Sequence, residues 1–569
     1  MYFMALALDY DGTIACEGIV TTETINALIA IKASGRKLIM VTGRQLDDLK
    51  QVFNRFDLFD LIVAENGALL YTPQTENQRI LAEPPPEQFL EELYDCGISP
   101  LRKGKVIIET QEPQEIKVLE VIRDMGLALE IVFNKGAVMI LPSGVNKATG
   151  LTATLKELGL SMHNVIGIGD AENDHTFLRK VGIGMAVSNA IEAVKQSLGL
   201  VTSGAYGKGV EEVIGQLLKD ENVFVAKMRN KISVGTDGND SFDLNPVDRV
   251  LIAGNSGIGK STLSTALTEK MAANGFQFCI FDPEGDYEKL ENALGVGGVK
   301  LAPIQEQVIE LLQDPAHNVV VNTLGVDLND RPSFFVQLAP KLLSLKASTG
   351  RPHWLIIDEA HHLIPAAQNH ISVPLPKEGT ILITVHPDEI AADALKTLTI
   401  IIALGPQALT ILEKVSQIIG EPLPSSSIKA PSDNEVLIWQ RLPISIIKTI
   451  KPDKPKQQHK RHTRKYAEGD LSDEFCFYFR GPKDALNLRV QNLMIFLQIA
   501  EGVDDETWMH HLRRKDYSDW FRVHIKDDNL ADAAARIEND RSLSAIQSKH
   551  AIADLIKKRY TAPASAKNL

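Results

Sequence analysis

The stretch "LALDYDGT", residues 6–13, places two carboxylates, Asp9 and Asp11, directly after a short apolar run. Such a run predicts a buried strand, and open α/β sheets bind ligands beyond the carboxyl ends of parallel strands. One carboxylate in that position is suited to attack phosphorus, while its neighbour is suited to protonate the leaving oxygen and later to activate water. The motif therefore predicts a phosphoryl-transfer site at a strand end.

Three later blocks offer the groups that such a site needs. "VTGR" follows a second apolar run and supplies the hydroxyl of Thr42, and "GVNKATG" supplies Lys147 to neutralise a transferring group. "GIGDAENDHTF" ends a third run with Asp170 and Asp174, which are hard oxygen ligands suited to Mg²⁺. Each block alone is more typical of a turn, a helix cap or a surface charge than of a catalytic site. Their coincidence at predicted strand ends favours a single phosphoryl-transfer site.

In this order the four blocks resemble the haloacid dehalogenase (HAD) superfamily, and more narrowly its Cof-like, type IIB branch of sugar-phosphate phosphatases. The resemblance implies that Asp9 is the nucleophile, Asp11 the general acid and base, and Thr42 and Lys147 the phosphate-binding residues. Ion-pumping relatives carry Thr at the place of Asp11, so Asp11 favours turnover as a phosphatase. The expected ligands of Mg²⁺ are Asp9, Asp11, Asp170 and Asp174.

A second motif, "GNSGIGKST" at residues 254–262, follows the apolar run "RVLIA" and fits the pattern G-x-x-x-x-G-K-[ST]. Backbone N–H groups of such a loop bind phosphates, the lysine reaches the β- and γ-phosphates, and the hydroxyl that follows holds Mg²⁺. We therefore expect ATP to bind at Gly254, Gly257, Gly259, Lys260, Ser261 and Thr262, with Ser261 on the metal. Farther along, the apolar run in "HWLIIDEAHH" is followed by Asp358, suited to support Mg²⁺, and Glu359, suited to orient the attacking water.

Together with "FCIFDPEGDY" and "ILITVHPDEI", these blocks resemble the HerA/FtsK-type pumping ATPases. The resemblance implies a homo-oligomeric ring in which an arginine of the neighbouring subunit assists hydrolysis, and Arg331 and Arg351 are the candidates. His386 occupies the place of a γ-phosphate-sensing residue, although a structural histidine is an equal alternative. The acidic residues that the resemblance places near the nucleotide are Asp282, Glu284 and Asp286.

The pattern of apolar runs predicts an α/β protein. Its expected parts are a HAD Rossmann-like parallel sheet with an inserted α+β cap, a RecA-like P-loop α/β domain and a mainly helical C-terminal domain. The predicted boundaries are 1–68 plus 145–222 for the HAD core, 69–144 for the cap, 225–445 for the ATPase domain, 446–466 for a basic linker and 467–569 for the C-terminal domain.

Composition limits the classes of function. The formal net charge of −13 argues against a surface built for non-specific nucleic-acid binding, although residues 448–465 hold eight Lys or Arg and one Asp. The four cysteines form no CxxC pair, which favours reduced thiols over a disulfide framework. No apolar run approaches the roughly 18–20 residues that span a bilayer. We expect a cytoplasmic multidomain protein with no membrane partner.

The predicted function is a Mg²⁺-dependent phosphatase for a small phosphorylated metabolite, such as a sugar phosphate, joined to an ATP-hydrolysing domain. The alternatives are a nucleic-acid-processing ATPase with an end-directed phosphatase, a kinase–phosphatase fusion and an ATP-gated scaffold. The acidic charge and the cap disfavour a polymer substrate, and Glu359 beside Asp358 suits water activation better than a kinase. The charged cap segment Arg102–Lys105 is interpreted as a hairpin surface, with contact to an anionic substrate as the alternative.

Overall fold

The computed structural model describes residues 1–134, 136–238, 240–255, 258–366, 375–424, 431–432, 434–456, 476–525 and 527–559. The chain divides into two compact units. One unit holds residues 1–253 and 267–453, and the other holds residues 254–266 and 454–569.

The first 225 residues alternate strands with helices, as the apolar runs predict. The strands are β1 (Ala5–Leu8), β2 (Lys37–Val41), β3 (Leu61–Ala64), β4 (Leu69–Thr72), β5 (Asn77–Ile80), β6 (Arg102–Lys103), β7 (Ile108–Gln111), β8 (Leu129–Asn134), β9 (Ala137–Pro142), β10 (Val165–Gly169) and β11 (Ile183–Ala186). The helices are α1 (Thr22–Ala33), α2 (Leu46–Val52), α3 (Glu87–Asp95), α4 (Glu115–Asp124), α5 (Lys147–Leu158), α6 (His175–Leu178), α7 (Glu192–Leu198), α8 (Gly207–Lys219) and α9 (Asn222–Val225).

The core of this region is a sheet in the order β11-β10-β1-β2-β3-β4-β5. Its strands from β11 to β3 are parallel. Four strands are buried along their whole length, namely β1, β3, β10 and β11. Such continuous burial is typical of parallel strands in sheets that helices cover on both faces. The predicted parallel α/β core is confirmed.

The cap begins later than predicted. β4 and β5 fall inside the predicted cap range 69–144, yet they pair antiparallel with β3 and with each other in the core sheet. A hairpin of this kind covers the edge of β3, which would otherwise expose unpaired backbone groups. The cap itself is a separate sheet, β6-β7-β9-β8, packed with α3 and α4 around an apolar cluster that includes Phe89, Val118 and Ile140.

The middle of the chain is a second α/β domain. Its strands are β12 (Ile232–Asp237), β13 (Asp240–Leu244), β14 (Arg249–Ala253), β15 (Phe278–Asp282), β16 (Leu294–Gly297), β17 (Val319–Asn322), β18 (Trp354–Ile357), β19 (Thr380–Thr384), β20 (Ile400–Leu404), β21 (Val436–Gln440) and β22 (Ile446–Pro452). Its helices are α10 (Lys260–Ala273), α11 (Gln305–Gln313), α12 (Arg331–Thr349), α13 (Ala392–Lys396) and α14 (Ala408–Ile419).

These strands form one sheet in the order β13-β12-β22-β21-β20-β14-β19-β18-β15-β17-β16. The strands from β20 to β16 are parallel, while β21, β22, β12 and β13 extend the sheet antiparallel. β22 falls within the predicted linker 446–466, so the first residues of that range belong to the sheet and not to a linker. Residues 457–466 of the predicted linker lie outside the described residues.

Within the first unit, the phosphatase core and the ATPase sheet share a buried polar junction. The side chain of Arg351, which is fully buried, donates to the carbonyl oxygen of Gly159 from Nη2 at 2.6 Å. The ring of His163 stacks on Phe276 with centroids 3.8 Å apart, and His353 Nε2 lies 3.1 Å from Asn164 Oδ1. The two domains are therefore joined by side chains that lie at the amino ends of β10, β15 and β18.

The second unit contains the C-terminal domain, which is mainly helical as predicted. It consists of the hairpin β23 (Phe477–Phe479) and β24 (Leu488–Val490), followed by α15 (Leu493–Gly502), α16 (Asp505–Arg514), α17 (Asp516–Val523), α18 (Asp528–Asn539) and α19 (Ala545–Arg559). Trp508, Tyr517, Trp520 and Phe521 are buried in its core, so these aromatic side chains pack the domain. Among the helices of the described ranges, none is both long and apolar enough to cross a bilayer.

Candidate active site

Three buried carboxylates meet at the carboxyl edge of the first sheet. β1 and β10 are parallel neighbours with Leu8 opposite Ile168, so Asp9 and Asp170 leave the sheet side by side. Asp174 returns to the same place from the turn that follows β10, and its Oδ2 accepts the N–H groups of Asp170 and Ala171. Asp9, Asp170 and Asp174 each offer one carboxylate oxygen, and these three oxygens lie within 4.8 Å of one another.

Lys147 lies between two of these carboxylates. It is the first residue of α5, whose N-terminus is held by the capping box of Asn146 and Thr149. Lys147 Nζ lies 2.6 Å from Asp9 Oδ1 and 2.5 Å from Asp174 Oδ1, and all three side chains are buried. Burial alone would lower the pKa of Lys147, but the two carboxylates raise it overall. The lysine is therefore a buried cation at the centre of the site.

The pKa of the Asp9 carboxyl is raised well above its ordinary value. Burial is the main cause, and the negative charge of Asp174 adds to it, while Lys147 acts in the opposite direction. A carboxylate that has to attack phosphorus must be ionised. The site therefore has more negative charge than one lysine offsets.

Asp11 has a different environment from Asp9. Its Oδ2 accepts from Arg44 Nε at 2.5 Å and its Oδ1 from Arg44 Nη2 at 2.7 Å, and both side chains are about one-third exposed. The sequence predicts Asp11 as a metal ligand, but among the described residues the three close carboxylates are those of Asp9, Asp170 and Asp174. The carboxylate of Asp11 instead forms the bidentate pair with Arg44.

Thr42 lies on the same edge, directly after β2, the parallel neighbour of β1. Its N–H donates to the carbonyl of Val63, and its hydroxyl accepts the N–H of Arg44, so the loop that carries it is held on both sides. The cap comes close to this loop. A Cβ on Gly43 would lie 2.9 Å from Met139 Cε of the cap, so a larger residue here would require the end of the Met139 side chain to move.

Several residues of the site are not identified by the sequence analysis. Arg44 lies inside the "VTGR" block, from which the sequence analysis predicts a role for Thr42 alone. Thr13, the last residue of "DYDGT", donates from Oγ1 to Asp170 Oδ1 at 3.2 Å. Asn173 donates to Asn66 Oδ1 across two loops, a contact between residues 107 positions apart that no local pattern indicates.

In the second α/β domain, the loop with the P-loop pattern joins β14 to α10. Gly259 has a positive φ of 108°, and Lys260, Ser261 and Thr262 form the start of α10. Lys260 Nζ donates to the carbonyl of Gly254 at 2.9 Å and to that of Asn255 at 3.2 Å. Gly257, also expected in the nucleotide site, lies outside the described residues.

The acidic residues of this domain gather at the carboxyl ends of β15 and β18, which are parallel neighbours. Asp358 Oδ1 accepts the N–H of Glu359, a residue with a positive φ of 42°. Burial, followed by the charge of Glu359, raises the pKa of Asp358 well above its ordinary value. Burial likewise raises the pKa of Asp282 to about 7, although Asp282 accepts the N–H groups of Asp286 and Tyr287.

The two candidate arginines have different positions. Arg351 is fully buried in the junction with the phosphatase core, and a side chain in that place cannot reach a neighbouring subunit. Arg331 is also buried, close to Asp282 and Glu284 of its own domain, and burial lowers its pKa. His386 is exposed, and its N–H donates to Thr384 Oγ1.

Comparisons with known proteins identify two parts of the chain. Residues 6–111 and 102–214 match the haloacid dehalogenase-like hydrolase family, and residues 214–421 match the central domain of the helicase HerA. The phosphoglycolate phosphatase of Methanothermobacter thermautotrophicus is 30% identical over 223 residues, which are 38% of this chain and 98% of that protein. That of Methanosarcina acetivorans is 28% identical over 220 residues, which are 38% of this chain and 96% of that protein.

Among solved structures, a haloacid dehalogenase-like hydrolase from Bacteroides thetaiotaomicron is 20% identical, with a TM-score of 0.34. The match covers 38% of this chain and 99% of that one. The chain belongs to the haloacid dehalogenase-like hydrolases, and a HerA-type central domain is fused to its hydrolase domain.

Proposed function

We propose that the first domain is a Mg²⁺-dependent phosphatase that works through an aspartyl-phosphate on Asp9. The observation that carries the proposal is the meeting of Asp9, Asp170 and Asp174 around Lys147 at the carboxyl edge of the sheet. A purely structural role does not explain why three carboxylates and one lysine are buried together. Buried charges are costly unless they are paired or bind a cation or an anion.

The donor set suits Mg²⁺. Three carboxylates lie close enough to share one ion, and hard oxygen ligands are those that Mg²⁺ prefers. The raised pKa of Asp9 reflects excess negative charge in a buried place, which a bound cation would relieve. Asp9, Asp170 and Asp174 would hold the ion. When bound, it supplies charge neutralisation for the phosphoryl oxygens and for the attacking carboxylate.

The side chains of the protein carry the two chemical steps. Asp9 attacks phosphorus, the bond from phosphorus to the ester oxygen breaks, and Asp11 gives its proton to that oxygen. Asp11 then takes a proton from water, the resulting hydroxide attacks the phosphorus of the aspartyl-phosphate, and Asp9 leaves as a carboxylate. Arg44 holds the carboxyl group of Asp11 through two hydrogen bonds. Thr42 and Lys147 orient the phosphoryl oxygens.

A small phosphomonoester is the substrate class that we propose. Met139 of the cap lies close to Gly43 in the loop that carries Thr42, and a site covered in this way suits a compact leaving group better than a polymer end. Two relatives that the chain covers almost completely are named phosphoglycolate phosphatases. Phosphoglycolate is therefore the first candidate, followed by sugar phosphates.

The test is a panel of phosphomonoesters assayed with and without Mg²⁺, using the wild type and Asp9→Asn. The proposal expects Mg²⁺-dependent release of phosphate from at least one small ester, and a loss of more than about 10³-fold in the variant. Asp9→Asn is expected to keep or raise the free energy of unfolding, because it removes one negative charge from a crowded buried group. Full activity in Asp9→Asn would refute the mechanism.

We further propose that the second domain binds and hydrolyses ATP. The match to the HerA central domain supports this proposal, as does the loop from Gly254 to Thr262. Lys260 would hold the phosphates, Ser261 and Asp358 would hold Mg²⁺, and Glu359 would orient the water. Lys260→Ala should lose nucleotide binding, whereas Glu359→Gln should keep binding and lose hydrolysis. Equal ATP turnover in the wild type and Glu359→Gln would contradict these roles.

A ring assembly, a nucleic-acid partner and a cytoplasmic location stay predictions. Particle mass with and without ATP tests the ring. ATP turnover measured with and without single-stranded and duplex DNA tests the alternative of a nucleic-acid machine, and severalfold stimulation would favour that alternative over the metabolite enzyme.

A further inference from the structure

Glu65 makes a contact between core and cap, and it has no role in the two chemical steps proposed above. It follows β3 and is 1% exposed. Its Oε1 accepts the N–H of Lys105 at 2.8 Å, and its Oε2 accepts those of Val106 at 2.7 Å and Ile107 at 3.1 Å. Three backbone donors of one cap turn are thus satisfied by a single carboxylate of the core. We name this contact the clasp.

The turn that Glu65 holds is shaped for the contact. Gly104 N–H donates to the carbonyl of Ile107, which closes a tight turn and points its N–H groups toward the carboxylate. A Cβ on Gly104 would lie 2.8 Å from the carboxyl carbon of Glu65. Any larger residue at position 104 would push the turn away from Glu65, so the sequence at this place permits the contact.

On its other side Glu65 is tied to the loop that binds phosphate in the proposed function. Its N–H donates to the carbonyl of Arg44 at 2.9 Å, and the N–H of Asn66 donates to the carbonyl of Thr42 at 3.0 Å. Glu65 and Asn66 both have positive φ, of 51° and 54°. Non-glycine residues in this conformation cost free energy that the surrounding contacts must offset, and such residues concentrate at functional places.

We infer that Glu65 is a positioning residue that clasps the cap turn Gly104–Ile107 against the loop Thr42–Arg44 and thereby fixes the closed active site. The inference rests on the proposed phosphatase function, since it is this reaction that a fixed cap would shield from water. In the described residues, the ion pair that joins cap and core runs from Arg102 to Asp48; it is 3.8 Å long, and both side chains are exposed. Exposed pairs of that kind contribute little. Among these charged contacts, the clasp is therefore the one able to hold the cap.

The best variant for the test is Glu65→Gly. It removes the carboxylate, and glycine adopts the positive φ at this position without strain, so folding should be preserved. Gly104→Ala disturbs the same contact from the cap, because its methyl group would lie too close to the carboxyl group of Glu65. In the double variant the new methyl group no longer meets a carboxylate, so Gly104→Ala should add almost nothing to Glu65→Gly. Asp48→Asn, which breaks the exposed cap–core ion pair, is the matched control and should behave as the wild type.

Two measurements separate positioning from folding. Amide hydrogen exchange at residues 105–107 should become about tenfold faster or more in Glu65→Gly, while exchange in β1 and β10 stays unchanged. The ratio of kcat/KM for phosphoglycolate to kcat/KM for the bulky p-nitrophenyl phosphate should fall about 10- to 100-fold. The reason is that a small ester depends more than a bulky one on a closed cap for its positioning. A merely destabilised enzyme would lose both activities alike.

The outcomes distinguish the two proposals. If Asp9→Asn is inactive but Glu65→Gly keeps both slow exchange at 105–107 and the wild-type ratio, the clasp is refuted and the phosphatase stands. If the wild type hydrolyses neither ester, the proposed function fails, and the exchange measurement still decides whether Glu65 holds the turn. Additive effects of Glu65→Gly and Gly104→Ala would also overturn the clasp.

Discussion

At the scale of single residues, the candidate site depends on how charge is distributed over two aspartates that are two positions apart. Asp9 is buried and touches Lys147, whereas Asp11 is partly exposed and paired with Arg44. One environment suits a nucleophile enclosed with cations, and the other suits a group that exchanges protons with water. Neighbours in sequence thus acquire separate roles from separate surroundings.

Lys147→Ala should destabilise the protein strongly. It leaves Asp9 and Asp174 buried without their cation, and breaking a buried pair in this way costs about 3–5 kcal/mol. Thermal unfolding monitored without Mg²⁺ should show the loss, and added Mg²⁺ should restore part of it if the carboxylates bind the ion. Lys156→Ala, an exposed position on the same helix, is the control. Equal stability of the two variants would speak against an ion pair at this place.

At the scale of elements, the ends of helices and strands place the functional groups. Lys147 reaches its carboxylates because α5 begins at that residue, and it begins there because Asn146 and Thr149 cap each other. Asp174 is held by the N–H groups of the turn after β10. Local capping therefore determines where the central cation lies.

Asn146→Ala should cost about 1 kcal/mol of stability through the lost cap and should also lower kcat, because Lys147 is displaced with the helix end. Thr21→Ala removes the comparable cap of α1, where the hydroxyl accepts the N–H of Thr24, and this helix contains none of the site residues named above. It should cost a similar free energy and leave kcat unchanged. Urea unfolding and steady-state kinetics of both variants test this pair. A kcat for Asn146→Ala equal to that of Thr21→Ala would contradict the positioning role of the cap.

Much of this arrangement can be predicted from sequence, because the carboxyl ends of parallel strands meet at one edge and each block follows an apolar run. The strands β1, β2 and β10 all occur where those runs lie. The hairpin β4–β5 could not be assigned to the core, since its sequence does not show which edge it pairs with. Likewise β22 carries two lysines and a proline, which hides its role as a sheet strand. Contacts such as the one from Glu65 to the cap turn join distant segments, and only the tertiary fold brings them together.

At the scale of the whole molecule, the junction between phosphatase core and ATPase sheet is a polar surface that requires neutral histidines. His163 Nδ1 accepts from Asn230 and Nε2 donates to the carbonyl of Asn274, while His353 Nδ1 accepts the N–H of Gln277. Burial lowers the pKa of His163 to about 4 and that of His353 well below its ordinary value. A second proton on either ring would face a donor.

The stability of the first unit should therefore fall as the pH is lowered. A histidine whose pKa is lower in the folded state contributes stability above its unfolded pKa of about 6.5, and loses it as the pH falls towards 4. For His163 the change is about 3 kcal/mol across that window. His163→Gln keeps an N–H donor but cannot protonate, so its unfolding free energy should depend less on pH. His550→Gln, at an exposed position, should retain the wild-type profile. Identical profiles for the wild type and His163→Gln would contradict this account.

The central claim is that Asp9 becomes phosphorylated during turnover, and intact mass spectrometry of acid-quenched enzyme tests it most directly. Asp11→Asn should be supplied with p-nitrophenyl phosphate and Mg²⁺, because this leaving group needs no proton whereas the hydrolysis of the intermediate needs Asp11. The protein should gain the mass of one phosphoryl group, with peptide mapping locating it on Asp9, and the gain should vanish in the double variant with Asp9→Asn. A phosphoryl group on another residue, or an Asp9→Asn enzyme with full activity, would contradict the account.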